Sequence, residues 1–186
     1  MRLSVICALV AIASANAAAQ ANLNRPPSLD TVPRPAARPE DVASPDAIIK
    51  AVYDVISGPA GQKRDWDRMR SLFVPNARLM PAVPRQGGAG TAVRVLSVDD
   101  YIALSGPMLE QNGFFEREIK RVSESYGNIM HLFSTYESRR VATDEKPFAR
   151  GINSFQLLKD GDRWWIVSIY WQGENAAFPI PPKYLP

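Results

Sequence analysis

The sequence predicts an α+β domain, three helices followed by a mostly antiparallel sheet of about six strands, and three observations carry that prediction. Between Pro45 and about Glu110 the apolar residues recur at helical spacing between proline and glycine breaks. From Phe114 onward, aromatic and β-branched residues fill segments separated by short turn sequences. Gly151 to Glu174 reads as two long apolar strands joined by Lys159-Asp160-Gly161-Asp162, where Asp-Gly supplies the positive φ angles of a tight hairpin.

The chain begins with Arg2 and an apolar run, Leu3 to Ala13, too short to span a bilayer, and the small residues Ala17-Ala18-Ala19 precede Gln20. This pattern predicts a cleavable signal peptide over residues 1–19 and hence a periplasmic or secreted protein. The one cysteine, Cys7, would leave with the peptide, so disulfides, a thiolate nucleophile and cysteine metal ligands are not expected. Losing Arg2 takes the formal balance from 22 − 19 to 21 − 19, or +2. The charges are dispersed, which argues against a nucleic-acid partner, and no membrane insertion of the mature chain is expected. Residues 20–44 carry Pro26, Pro27, Pro33, Pro35 and Pro39 and few large apolar side chains, the composition of a disordered linker. Residues 45–186 are then one domain of ordinary size.

Within it, Ser44-Pro45-Asp46 caps a first helix whose Ile48, Ile49, Val52, Val55 and Ile56 share one face, ended by Gly58-Pro59. A second, starting at Asp65, carries Trp66, Met69, Leu72 and Phe73 and ends at Pro75-Asn76. Short strands follow at Ala77–Met80 and Val93–Leu96, flanking a Gly-rich loop that lacks the lysine and following helix of a phosphate cradle. Ser97 caps a third helix running to Glu110, with an irregularity expected at Gly106-Pro107. Strands are predicted at Phe114–Ser123, Ile129–Arg140, Arg150–Lys159 and Arg163–Gln172, with connections that suit antiparallel neighbours. Strict alternation in the last strand puts Trp165, Val167, Ile169 and Trp171 on one face and Trp164, Ile166 and Tyr170 on the other. With both faces apolar, a homodimer through the sheet is expected.

The order of elements over Asp46 to Glu174, with DWDRMRSLFVPNARL and DRWWIVSIYW as local signals, resembles the nuclear transport factor 2-like superfamily. That group includes ketosteroid isomerase and SnoaL-type cyclases, and within it the chain is similar to small exported bacterial proteins of uncharacterised role. The resemblance implies a cone-shaped fold with a curved sheet, and an interior that takes a small apolar or amphipathic molecule. It does not bring isomerase chemistry with it. The first strand, ARLMPAV, offers no carboxylate base, the late-strand aspartate position holds Asn153, and Tyr53 stands about two positions from the expected tyrosine.

His131, the single histidine, shares a strand face with Phe133, Thr135 and Glu137. If that face lines the cone, His131 is the candidate catalytic acid or base, steered by Glu116 or Glu118; if not, it is a surface residue. Glu116 and Glu118 share a face with Lys120, and Arg117 with Ile119 and Arg121, so the two acids are otherwise explained as partners in cross-strand ion pairs with Arg139 or Arg140. Candidate ligand-binding residues are Tyr53, Tyr136, Asn153, Trp171 and Arg150, the last as a bidentate grip on a carboxylate. The histidine and cysteine content gives no metal set, and no cofactor is expected. The expected function is binding of a small molecule; an acid–base enzyme using His131 and a non-catalytic interaction domain are the alternatives.

Overall fold

In a computed structural model of the chain, residues 33–87 and 89–186 are described. The expected signal peptide, residues 1–19, and residues 20–32 of the expected linker lie outside them. No helix among the described residues is long and apolar enough to cross a membrane.

Among the described residues, four helices precede most of the sheet. A turn, α1 (Pro39–Val42), leads into α2 (Pro45–Ile56), capped by Ser44, whose side chain accepts from the Ala47 N–H. Helix α3 (Trp66–Leu72) is capped by Asp65, and α4 (Val98–Asn112) by a capping box between Ser97 and Asp100. Pro107 sits inside α4 without ending it. Helix α4 stops at Gly113, whose φ of 69° and close approach to the Arg140 carbonyl leave no room for a side chain.

The strands are β1 (Phe73–Pro84), β2 (Thr91–Val93), β3 (Phe115–Tyr126), β4 (Ile129–Arg139), β5 (Ala149–Asp160) and β6 (Arg163–Gly173). They form one sheet in the order β2-β1-β6-β5-β4-β3, antiparallel except where β1 lies parallel to β6. Two-residue turns, Gly127-Asn128 and Gly161-Asp162, close the β3–β4 and β5–β6 hairpins. Gly127 and Gly161 supply the left-handed backbone there. The core lies between the helices and one sheet face, with Ile48, Ile49, Leu72, Leu132 and Ile166 fully buried.

Four expectations are corrected. Residues 34–44 are not a linker throughout: Val42 is in the core, and buried Asp41 takes both Nε and Nη2 of Arg68 at 2.7 Å. Burial of Val42 contributes apolar stabilisation that a proline-rich composition otherwise lacks, and Arg68 compensates the buried carboxylate of Asp41. Pro75-Asn76 does not separate helix from strand. Strand β1 begins at Phe73 and absorbs the irregularity as a bulge, with Asn76 at φ 60°. A bulge between Glu118 and Lys120 breaks the alternation of β3, so Arg121 comes onto the same face as Glu118. A bulge beside Val167 does the same in β6. Trp164 and Ile166 therefore join Ile169 and Trp171 toward the helices, and buried Trp165 faces the other way beneath Arg34 and Arg163.

Candidate functional site

Helical spacing brings Val52, Tyr53 and Ile56 of α2 and Tyr101, Ser105, Met108 and Leu109 of α4 onto faces that look at the sheet. The register of the sheet brings Glu116 opposite Ser138, and Asn153 opposite Trp171, on the same side. Between them lies a cavity of about 270 Å³, at the small end for a ligand site. Two of its lining residues, Met108 and Phe148, are also exposed, which places them at its rim.

The one carboxyl in the wall is Glu116. Burial pushes it up to about 7, against a smaller opposing effect of hydrogen bonding by the Ser138 hydroxyl and the Asn153 amide. Ser138 Oγ donates to Glu116 Oε2 at 2.7 Å. Each of the other sheet carboxylates near it has an arginine: Glu118 has Arg121, Glu137 has Arg117 and Arg139, and Glu174 has Arg150. Glu116 has no ion-pair partner among the described residues.

Beside it runs a buried hydrogen-bond chain. Asn153 Nδ2 donates to the Tyr53 hydroxyl at 3.0 Å, and Tyr53 meets Ser134 Oγ at 2.7 Å. Ser134 Oγ donates to Glu118 Oε1 at 2.6 Å, which uses its single proton, so Tyr53 is the donor to Ser134. Arg121 closes the chain by gripping both Glu118 oxygens and pairing with Asp46. Tyr53 is thus fully committed, and burial together with nearby Glu116 raises its hydroxyl well above the ordinary range. Tyr101 and Tyr136 are raised by the same two causes, yet their hydroxyls have no hydrogen-bond partner among the described residues. Tyr136 reaches across β5 at Gly151, where an added Cβ would sit 2.4 Å from its hydroxyl. Glycine is required there by close approach rather than by φ. No group of three or more potential metal ligands occurs among the described residues.

No family model matches the chain, and no curated protein matches it significantly. Solved structures do. A protein of unknown function with a cystatin-like fold from Nostoc punctiforme superposes with a TM-score of 0.50 at 10% identity, over 68% of this chain and 86% of its own. A candidate calcium/calmodulin-dependent protein kinase II association domain from Xanthomonas campestris gives a TM-score of 0.50 at 14% identity, over 70% and 86%. The chain has a nuclear transport factor 2-like fold. A protein of unknown function from Silicibacter pomeroyi described in those terms matches at TM-score 0.48 and 17% identity, over 69% and 92%.

Within this nuclear transport factor 2-like fold, Tyr53, Tyr136, Asn153 and Trp171 all line the cavity. Arg150 does not; its Nε donates to Glu174 Oε2 at 2.9 Å, which answers its charge away from the site. His131 is on the opposite sheet face, where its Nε2 meets Ser154 Oγ at 3.1 Å and its ring stands edge-on to Phe133. It meets neither Glu116 nor Glu118, because β4 turns its even-numbered residues toward the helices and His131 goes with the odd set. The expected ion pairs of Glu116 and Glu118 with Arg139 or Arg140 are absent, since Arg139 serves Glu137 on its own strand and Arg140 stacks on Phe148. Tyr101 was not a candidate site residue, and Glu116, expected to steer His131 or to pair with an arginine, is instead the acid of the cavity itself. Tyr101 carries a sequence signal in its i+4 spacing to Ser105.

Proposed function

We propose that the cavity binds a small, mainly apolar molecule whose polar group meets Glu116, Tyr101 and Tyr136. The observation that carries this is a carboxyl without a cation, set in an apolar wall beside two unpartnered tyrosine hydroxyls. Polar groups that converge on an apolar cavity and are not paired within the protein are placed to fix the orientation of a ligand. The protein is proposed to act outside the cytoplasm, on the leader pattern in its sequence, and to pair through the outer face of its sheet. The exposed Val122, Ile129 and Tyr170 favour that pairing.

A second reading, proton transfer, rests on the same carboxyl. A group titrating near 7 is poised to accept and return a proton at neutral pH, and Tyr101 and Tyr136 would donate hydrogen bonds to a developing oxyanion. Acid–base chemistry would then belong to Glu116 rather than His131.

Native mass spectrometry of protein purified without denaturation tests the binding reading. One small-molecule adduct per chain is expected in the wild type, and a variant with the cavity filled, Ser105→Phe, should lack it. An adduct retained by that variant, with its fold intact, would place the ligand elsewhere.

A further inference from the structure

The lining of the cavity is electrostatically one-sided. Seven aromatic residues and one carboxylate contribute to it, and no lysine, arginine or histidine does. The nearby arginines are directed away from the carboxylate: Arg121 pairs with Glu118 and Asp46, Arg150 with Glu174, Arg64 holds backbone carbonyls of the α2–α3 connection and α4, and Arg140 stacks on the ring of the rim residue Phe148. Aromatic faces carry negative charge density, so they add to the effect of the carboxylate instead of offsetting it. A carboxylate set in an apolar wall without a counter-ion is costly to keep charged, and its neighbours Glu118 and Glu137 show how the same sheet pairs such groups elsewhere.

We propose that the missing cation belongs to the ligand: the cavity selects a compact organic amine, its ammonium group on Glu116 and its apolar body among the aromatic walls. This rests on the reading of the cavity as a small-molecule site and names the chemical class it takes. Ammonium and carboxylate satisfy each other, and the Tyr101, Tyr136 and Trp171 rings add cation–π attraction. Anionic molecules are repelled by Glu116, and neutral ones leave it unpaired. The groups facing Glu116 are Tyr53 from α2, Tyr101 from α4, Tyr136 and Ser138 from β4 and Asn153 from β5. Asp54, Arg117, Arg139 and Asp144 border the open depression on its other side. The Glu116 carboxyl, pushed up to about 7 by burial, changes charge between pH 6 and 8.

The test compares three probes of matched shape, cyclohexylmethylamine, cyclohexylmethanol and cyclohexanecarboxylate, by calorimetric titration of the full chain and of Glu116→Gln. The amine should bind at least about tenfold more tightly than the alcohol, an advantage lost in Glu116→Gln, as expected for a hydrogen bond to a charged group. Its affinity should weaken by up to about tenfold per pH unit below 7, as Glu116 takes up a proton, while the alcohol shows no such loss. Equal or tighter binding of the alcohol or the carboxylate would overturn the selection of a cation and leave the cavity as a small-molecule site. Equal binding of the amine to wild type and Glu116→Gln would also overturn it. Failure of all three probes to bind the wild type would overturn the cavity reading itself. Thermal denaturation of Glu116→Gln, expected to be at least as stable as the wild type above pH 7, separates a lost site from a lost fold.

Discussion

Glu116 and Glu118 stand two residues apart on one strand and one face, yet their surroundings differ in sign. Arg121 takes both oxygens of Glu118, whereas Glu116 faces an apolar cavity with one hydroxyl donor. The consequence for stability is specific. Because its folded-state carboxyl titrates near 7, above the ordinary 4.5, the folded chain holds this proton where the unfolded chain has lost it. Stability attributable to Glu116 is therefore full below about pH 4.5, declines as pH rises toward 7, and is flat above. Glu116→Gln should be more stable than wild type by about 1–3 kcal/mol at pH 8 and indistinguishable from it at pH 4.5, measured by urea denaturation at both pH values. A constant difference across that range would show that the carboxyl is not held neutral by the fold. Arg64 makes the opposite kind of buried charge. Its Nε donates to the Ile56 carbonyl at 3.1 Å and its Nη2 to those of Gly58 at 2.6 Å and Leu109 at 3.1 Å, which ties the end of α2 to α4. Arg64→Met should cost about 2–4 kcal/mol by the same assay, since several carbonyls lose their donors together. Neither role was legible in the sequence, where Arg64 is one cation in a Gly-Pro-rich loop and Glu116 one acid in a charged strand.

At the scale of elements, most of the fold was legible, because helix caps, the two Gly-containing hairpins and the aromatic strands each announce themselves locally. What periodicity misassigned were the residues beyond each bulge. One extra residue at Ile119 reverses the facing of Arg121, and one at Val167 reverses that of Trp164 and Trp165, and a bulge is set by pairing with a distant strand. Alternation alone does not say which face of β4 meets the helices; the packing of the helices on Leu132, Ser134 and Tyr136 puts His131 on the other face. The same close packing fixes Gly151. Gly151→Ala places a Cβ 2.4 Å from the Tyr136 hydroxyl and 2.5 Å from the Gln172 carbonyl, and the second of these is backbone that cannot swing aside. A loss of about 1–3 kcal/mol is expected, with a shifted Tyr136 ring resonance in NMR spectra as its local sign. Wild-type stability in that variant would mean that β5 and β6 part more easily than their pairing implies.

For the whole molecule, the helices cover one face of the sheet and the C-terminal tail covers part of the other. Thr135 Oγ donates to the Tyr184 carbonyl at 2.7 Å, the Tyr184 ring lies 5.5 Å from Phe133, and Ile180 is buried. Tyr170 and Ile129 remain exposed on that side at 47% and 60%, enough apolar surface to favour a partner. If two copies pair there, Tyr170→Glu should convert a dimer to a monomer in sedimentation analysis without altering ligand binding in the cavity on the opposite face. A dimer unaffected by Tyr170→Glu would move the interface elsewhere. The account as a whole stands on the cavity walled by Glu116 being the place where a small molecule binds, and a crystal structure of the wild type grown with saturating cyclohexylmethylamine examines that most directly. The account predicts density for the ring among Val52, Phe155 and Ile169, with the nitrogen within hydrogen-bond distance of the Glu116 carboxylate. A cavity left empty at saturation, or the amine bound only on the outer face, would contradict it.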